Sequence, residues 1–239
     1  MQPLHDSRAF ALGFLGMATN LHSNSPMLTK LIASFIGHQK ANRASERSRG
    51  ALELPAPERE GGEPLLRALS RRHSSREFQS KKLPIQVLSN LLWSAFGINR
   101  PKSGDRTAPS ALNAQEIDLY VALSEGVYLY AAKPHRLELI APIDARRISG
   151  YQDFVDHAPL DIIYVADMRH TLARIEGERA LQYAAISAGA ITQNVYLYCA
   201  SAGLATVARG LFDRKALGEA LGLSDHEEVL LTQTVGYPG

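Results

Sequence analysis

The chain has 239 residues, 45% of them hydrophobic and 21% charged, with 18 Gly and 12 Pro, the composition of an ordinary globular protein. Lys plus Arg number 26 and Asp plus Glu 24, a net charge of +2. That balance excludes a non-specific nucleic-acid binder, which needs a dense basic surface to displace counterions. The single cysteine, Cys199, excludes an intrachain disulfide and a cysteine-rich zinc site.

The first sixty residues differ from the rest. Residues 9–18 form an apolar stretch after Arg8, followed by polar Thr19 and Asn20. A signal peptide has this outline, but Asp6 and one arginine make a poor charged start. An amphipathic N-terminal extension is expected instead, with a cytoplasmic location, or a periplasmic one if the stretch is a signal. A second apolar segment, 28–36, is too short to span a bilayer. Residues 39–50 are polar and carry Lys40, Arg43, Arg47 and Arg49, and 54–64 supply three prolines with Gly61 and Gly62. The expected organisation is an extension and linker over 1–62 and a compact domain over 63–239.

Elements alternate from there. Leu65, Leu66 and Leu69 predict a short helix running into Arg71 and Arg72. Pro84 suits a first helical turn, and Ile85, Leu88, Leu91, Leu92, Ala95 and Phe96 follow at helical spacing, with Gly97 as the stop. Residues 117–123 alternate as a strand, and 127–130 and 137–140 read as a hairpin around Lys133 and Pro134. Residues 160–166 form an apolar strand ended by Asp167. The longest periodic block, 176–202, stops at Gly203, and a strand at 205–208, a helix at 214–221 and a strand at 229–235 follow. Interleaved elements with a hairpin among them predict an α+β fold.

The block 183–202 has about the length of a membrane span. Ser187, Gln193, Asn194 and Ser201 lie within it, and unpaired amides are costly in lipid, so a buried helix in a core or a dimer interface is expected. Ala184, Ala188 and Ile191 make one stripe with Ala185, Gly189 and Thr192 beside it, small residues that admit a close partner backbone.

Three segments could carry chemistry. In Arg71-Arg72-His73-Ser74-Ser75-Arg76, guanidinium groups interleaved with hydroxyls suit a phosphate; a solvated basic helix end is the competing reading. Residues 106–115 place small and amide side chains after Pro109, able to line a flat ligand or to make a plain turn. Residues 203–213 put Arg209 and Gly210 at a strand end, where a backbone N–H could meet a ring nitrogen, or a simple connection could lead to Asp213 as an N-cap. The rest is weaker. Residues 185–189 are a degenerate nucleophile elbow, but helical periodicity runs through Ser187. The eight histidines are dispersed, so no metal site is expected. No Gly-rich dinucleotide fingerprint follows a strand. Cys199 reads as a small core residue.

In this order and spacing, the three segments resemble the nitroreductase-like family of FMN-dependent oxidoreductases. Arg72, Ser74 and Arg76 are similar to its flavin-phosphate motif. Pro109, Ser110 and Ala111 with Asn113 and Gln115 are similar to a second flavin segment, which in the family reaches across a dimer. Arg209 and Gly210 stand where a main-chain N–H meets flavin N5. The hairpin at 126–137 resembles the subgroup that includes peptide-azoline dehydrogenases, and the ending 233–238 is family-like.

The resemblance covers about 65–238. It implies an α+β, nitroreductase-like mixed sheet flanked by helices, built as an intertwined homodimer with FMN at the interface and no integral membrane segment. NAD(P)H would donate electrons and small-molecule acceptors, nitroaromatic or quinone, would take them by a ping-pong route. Arg76 is the candidate to place positive charge near the flavin's N1 and O2, and no acid or base residue is named. The chain departs from the family in ending at Gly239 without a further basic residue past its last strand. Two alternatives stand beside this: an FMN-dependent dehydrogenase oxidising a peptide azoline heterocycle, and a flavin-binding or interaction protein without turnover.

Overall fold

The computed structural model describes residues 50–169 and 178–239, of Glu178 the backbone alone. The apolar stretches at 9–18 and 28–36, the basic residues up to Arg49 and the helix start expected at 176 lie outside the described residues.

In chain order the elements are β1 (Leu52–Glu53), α1 (Leu65–Arg71), α2 (Ile85–Phe96), β2 (Ile98–Arg100), β3 (Asp105–Arg106), β4 (Ile117–Leu123), β5 (Gly126–Ala131), β6 (Arg136–Ala141), β7 (Leu160–Asp167), α3 (Glu178–Ala202), β8 (Ala205–Arg209), α4 (Arg214–Leu221) and β9 (Glu227–Gly236). Seven strands form one sheet in the order β1-β6-β5-β4-β7-β9-β8, every described ladder antiparallel, while β2 and β3 pair apart from it. The class is α+β, as the interleaving of periods implies.

Both faces of the sheet are covered. Ile117, Leu119 and Val121 of β4 join one core with Leu91 and Leu92 of α2 and Ala184, Ala188 and Ile191 of α3. Tyr120 and Ala122 point the other way, toward Phe212 and toward Leu217 and Leu221 of α4. All eight residues of β7 are buried, which is why its sequence reads as a continuous apolar run rather than an alternating one. The stripe Ala184, Ala188 and Ile191 therefore packs within this chain. Its small side chains let α3 lie close to its own sheet, and the neighbours Ala185 and Gly189 are the ones left exposed.

Helix ends follow local chemistry. Asp213 caps α4 by accepting from Ala216 N at 3.0 Å, and Gly222 ends it with φ +65°. Gly97 ends α2 differently: its backbone is extended, and a Cβ there would come within 2.7 Å of the Trp93 backbone. Part of the stretch read as linker is built into the sheet domain. Leu52 pairs with Leu137, Leu54 is buried, and Glu58 N donates to Asn90 Oδ1 at 2.9 Å.

Among the described residues no helix is long and apolar enough to cross a membrane. Ser187 is buried inside α3, so the elbow-like motif around it is helix. Cys199 is buried too, and burial pushes its thiol up, as suits a core residue.

Candidate functional site

Helix α1 delivers the basic segment. It ends at Arg72, whose N–H closes the last turn onto Ala68 O. Glu63 pairs with Arg67 at 3.2 Å and with Arg71 at 3.0 Å, so the first arginine of the run is already neutralised. Arg72 is treated otherwise. Its guanidinium lies over the ring of Tyr196, 5.2 Å from the centroid, and among the described residues no carboxylate pairs with it. Ser74 is exposed, and its Oγ is 2.9 Å from Tyr196 Oη. Ser75 N donates to Thr206 O at 3.0 Å, which ties the segment to strand β8. Arg76 follows, exposed, just before buried Phe78.

Strand β8 is the sheet edge here, and Tyr196 closes part of it: Ala208 N donates to Tyr196 Oη at 2.9 Å. The next residue turns inward. The Arg209 side chain is 3% exposed, bonds Asp161 Oδ1 from Nη2 at 2.5 Å, and donates from Nη1 to Ser149 O at 2.9 Å. Thr234 Oγ1 and Ser149 Oγ donate to the same carboxylate at 2.5 and 2.9 Å. Burial pushes the Asp161 carboxyl up against the pull of Arg209, Thr234 and Ser149, and pushes the Arg209 guanidinium down against the pull of Asp161. Gly150 makes room for this arginine, because a Cβ there would sit 1.5 Å from Arg209 Nη1. The side chain of Arg209 is thus a strut. What the segment offers outward is backbone, and Gly210 is exposed with open space where a Cβ would stand.

The second segment is a braced loop. Leu112, Asn113 and Gln115 have φ of 53°, 52° and 51°, each costing about 1–3 kcal/mol for a non-glycine residue. Hydrogen bonds hold the shape. Ser110 Oγ accepts from Gln115 N at 2.9 Å, Asn113 Nδ2 donates to Asp105 Oδ1 at 2.9 Å, and Gln115 Nε2 donates to Gly104 O at 3.1 Å. Arg106 reaches Gln115 Oε1 and Phe96 O, both at 2.9 Å, with its guanidinium over the Phe96 ring. Donors from Ser103, Arg100 and Asn113 hold the Asp105 carboxyl below its usual range. Within this chain the side chains of Asn113 and Gln115 shape the loop, with Pro109 exposed at its start and Ala111 opening a 3-10 turn.

The first and third segments meet at Tyr196, and the second is a separate cluster braced from 96–106. Tyr196 carried no sequence signal, being one aromatic in a periodic helix. Asp161 did carry one, as an acid near the start of an apolar strand, because a buried carboxylate requires a partner. The donor set fits a phosphate-bearing flavin. An unneutralised guanidinium and an exposed hydroxyl lie at one side, and an uncrowded glycine backbone follows the strand that the same tyrosine holds.

Residues 69–237 match the family model described as Nitroreductase family. A protein of Methanocaldococcus jannaschii that carries the name nitroreductase is 31% identical over 173 residues, 68% of this chain and 86% of that protein. A crystal structure from Ralstonia eutropha, titled as a nitroreductase, has 44% identity and a TM-score of 0.75, covering 79% of this chain and 90% of that one. A chain of the Escherichia coli microcin synthetase complex with truncated pro-microcin bound shares the fold at 18% identity and a TM-score of 0.62, covering 91% of this chain and 96% of that one.

Proposed function

Because the chain belongs to the nitroreductase family, a group of flavin-type oxidoreductases, we propose that it is FMN-dependent and uses NAD(P)H to reduce nitroaromatic, quinone or similar acceptors. The observation that carries this reading is Arg72, a cation with no carboxylate partner among the described residues, set beside the exposed hydroxyl of Ser74. A phosphate monoester supplies the missing counter-charge, and charge-assisted donors of this kind are the strong ones. When bound, the flavin supplies two-electron chemistry, and the protein's work is positioning and electrostatics.

Arg72 and Ser74 hold the phosphate in this reading, and Arg76 brings positive charge to the ring's N1 and O2 side. The backbone N–H of Gly210 is the donor toward the ring, held in place by the Arg209–Asp161 strut behind it. Residues 109–115 serve the flavin of the neighbouring protomer in a homodimer. The surface supports that assembly: Leu65, Leu66 and Leu69 on α1 and Leu181 and Ile186 on α3 are exposed apolar residues, Leu66 by 79% and Ile186 by 68%. Apolar surface of this kind on adjoining helices marks a protein contact, and a second copy of the chain is the occupant. A cytoplasmic location, where reduced nicotinamide nucleotides are held, belongs to the same reading.

Anaerobic mixing with NADH or NADPH tests it. Flavin absorbance should bleach and return when a quinone or nitroaromatic is added, and initial-rate plots at several acceptor concentrations should be parallel, since both substrates enter one opening in turn. Intersecting plots would remove the ping-pong route. A second reading, oxidation of a peptide azoline heterocycle, has in its favour the fold likeness to the microcin synthetase chain. Bleaching by such a peptide and not by a nicotinamide would select it. Bleaching by neither would select a flavin-binding protein without turnover.

A further inference from the structure

Tyr196 fixes the direction of a hydrogen-bond chain. Its Oη lies 2.9 Å from Ala208 N and 2.9 Å from Ser74 Oγ. The amide can only donate, so the phenol oxygen accepts there. The phenol has one proton of its own, and among the described residues Ser74 Oγ is the acceptor within reach. If Ser74 donated to the phenol instead, a proton on a side chain only 9% exposed would be left without an acceptor, which is costly. The order that satisfies every group runs from Ala208 N–H to Tyr196 Oη, and from Tyr196 O–H to Ser74 Oγ. Ser74 then accepts from the protein and turns its own proton outward.

The same ring carries Arg72, the guanidinium without a carboxylate partner among the described residues. One aromatic side chain on α3 thereby sets two donors side by side, a hydroxyl whose proton is directed away from the protein and a cation kept from collapsing onto an acid. The phenol also covers an amide on the exposed edge of the sheet. We propose that Tyr196 is the positioning residue of the anion cradle: its hydroxyl orients Ser74 to donate to the flavin's phosphate, so that the protein selects a phosphorylated flavin over the unphosphorylated one. This rests on the flavin reading of the preceding section and adds to it the residue that sets the preference.

The test is equilibrium titration of the flavin-free full chain with FMN and with riboflavin, followed by flavin fluorescence. Tyr196→Phe keeps the ring under Arg72 and removes only the hydroxyl. It should weaken FMN by about tenfold or more, the cost of one charge-assisted donor, and leave riboflavin within about twofold. Ser74→Ala, at an exposed position that the fold does not need, should give the same pattern, and the double variant should be no weaker than either single one. Equal losses for both flavins in Tyr196→Phe, unchanged FMN affinity, or effects that multiply in the double variant would each overturn the proposal. If Tyr196→Phe fails to fold, Ser74→Ala decides alone: a preference for FMN over riboflavin as large as that of the wild type overturns the assignment. A wild-type chain that binds both flavins equally overturns the cradle while keeping the flavin. One that binds neither overturns the flavin reading itself.

Discussion

Two arginines flank the same edge strand and are handled in opposite ways. Arg209, at the end of β8, is buried with Asp161, Ser149 and Thr234 around the pair, and a glycine is kept at 150 to let it pass. Arg72, joined to β8 through Tyr196, has an aromatic ring beneath it and, among the described residues, no acid paired with it. A buried charge paired with a carboxylate that two hydroxyls also hold is structural, because desolvation makes a stranded partner costly; of the Arg209 donors only Nε lacks a partner among the described residues. A half-exposed charge left unmatched is available. The comparison separates the half of the site that is finished within the chain from the half that waits for an anion.

The sharpest break in this comparison is Arg209→Ala. It leaves Asp161 buried and unpaired, and the expected loss is about 3–5 kcal/mol in chemical denaturation. Replacing the pair together, Asp161→Leu with Arg209→Met, should recover most of it, since an apolar pair of similar volume removes the stranded charge. A single variant as stable as wild type would show that the pair carries no burden. On the open side, Arg72→Ala should leave stability within about 0.5 kcal/mol and weaken FMN by about 1.5–3 kcal/mol. The reverse pattern would place Arg72 among the structural residues.

The contrast between these arginines is not visible in the sequence, although much else is. Periodicity located the hairpin, the long helix and the final strand, because each buries a stripe or a face whose period survives in the residues. The Gly203 and Asp213 signals held since they depend on local backbone chemistry. Arg72 and Arg209 look alike as letters. Asp161 neutralises one and the Tyr196 ring carries the other, and both of these partners are far along the chain. The stripe on α3 leaves core and interface both open in the sequence for a similar reason. Ala184 and Ala188 show that something packs closely, and only the tertiary arrangement says that it is the chain's own sheet. The three left-handed residues at 112, 113 and 115 had no signal, because none is glycine and the hydrogen bonds that hold them come from 103–106 as well as from the loop.

Gly189 sharpens the comparison at the proposed contact with a second copy. Among the described residues nothing lies within 4 Å of a Cβ placed there, so Gly189→Leu should leave their packing intact. Overpacking of the helix contact, at about 1–3 kcal/mol, should shift the dimer toward monomer and lower flavin occupancy with it, measured by analytical ultracentrifugation and absorbance. A full-strength dimer would put Gly189 outside the interface.

The smallest effect belongs to a second finished network. Ser89 Oγ donates to Pro55 O at 2.6 Å, so His135 Nε2–H donates to Ser89 at 2.7 Å and Nδ1 accepts from Tyr130 Oη at 2.9 Å. Burial lowers the His135 pKa, with Arg59 acting in the same direction. A base whose pKa is depressed on folding costs nothing while both states are neutral. Stability is then lost as pH falls through the unfolded value, about 6.5, because the unfolded chain takes up the proton first. Denaturation midpoints should therefore decline below that pH, and His135→Gln should flatten the decline. An unchanged slope would mean that the network does not resist protonation.

The most direct test of the account is the identity of what the cradle holds. The purified full chain should be yellow, and the cofactor released on denaturation should have the mass of FMN, with one molecule per chain, because Arg72 and Ser74 present one compact anion site. FAD, or a colourless chain that takes up no FMN at micromolar concentration, would contradict it.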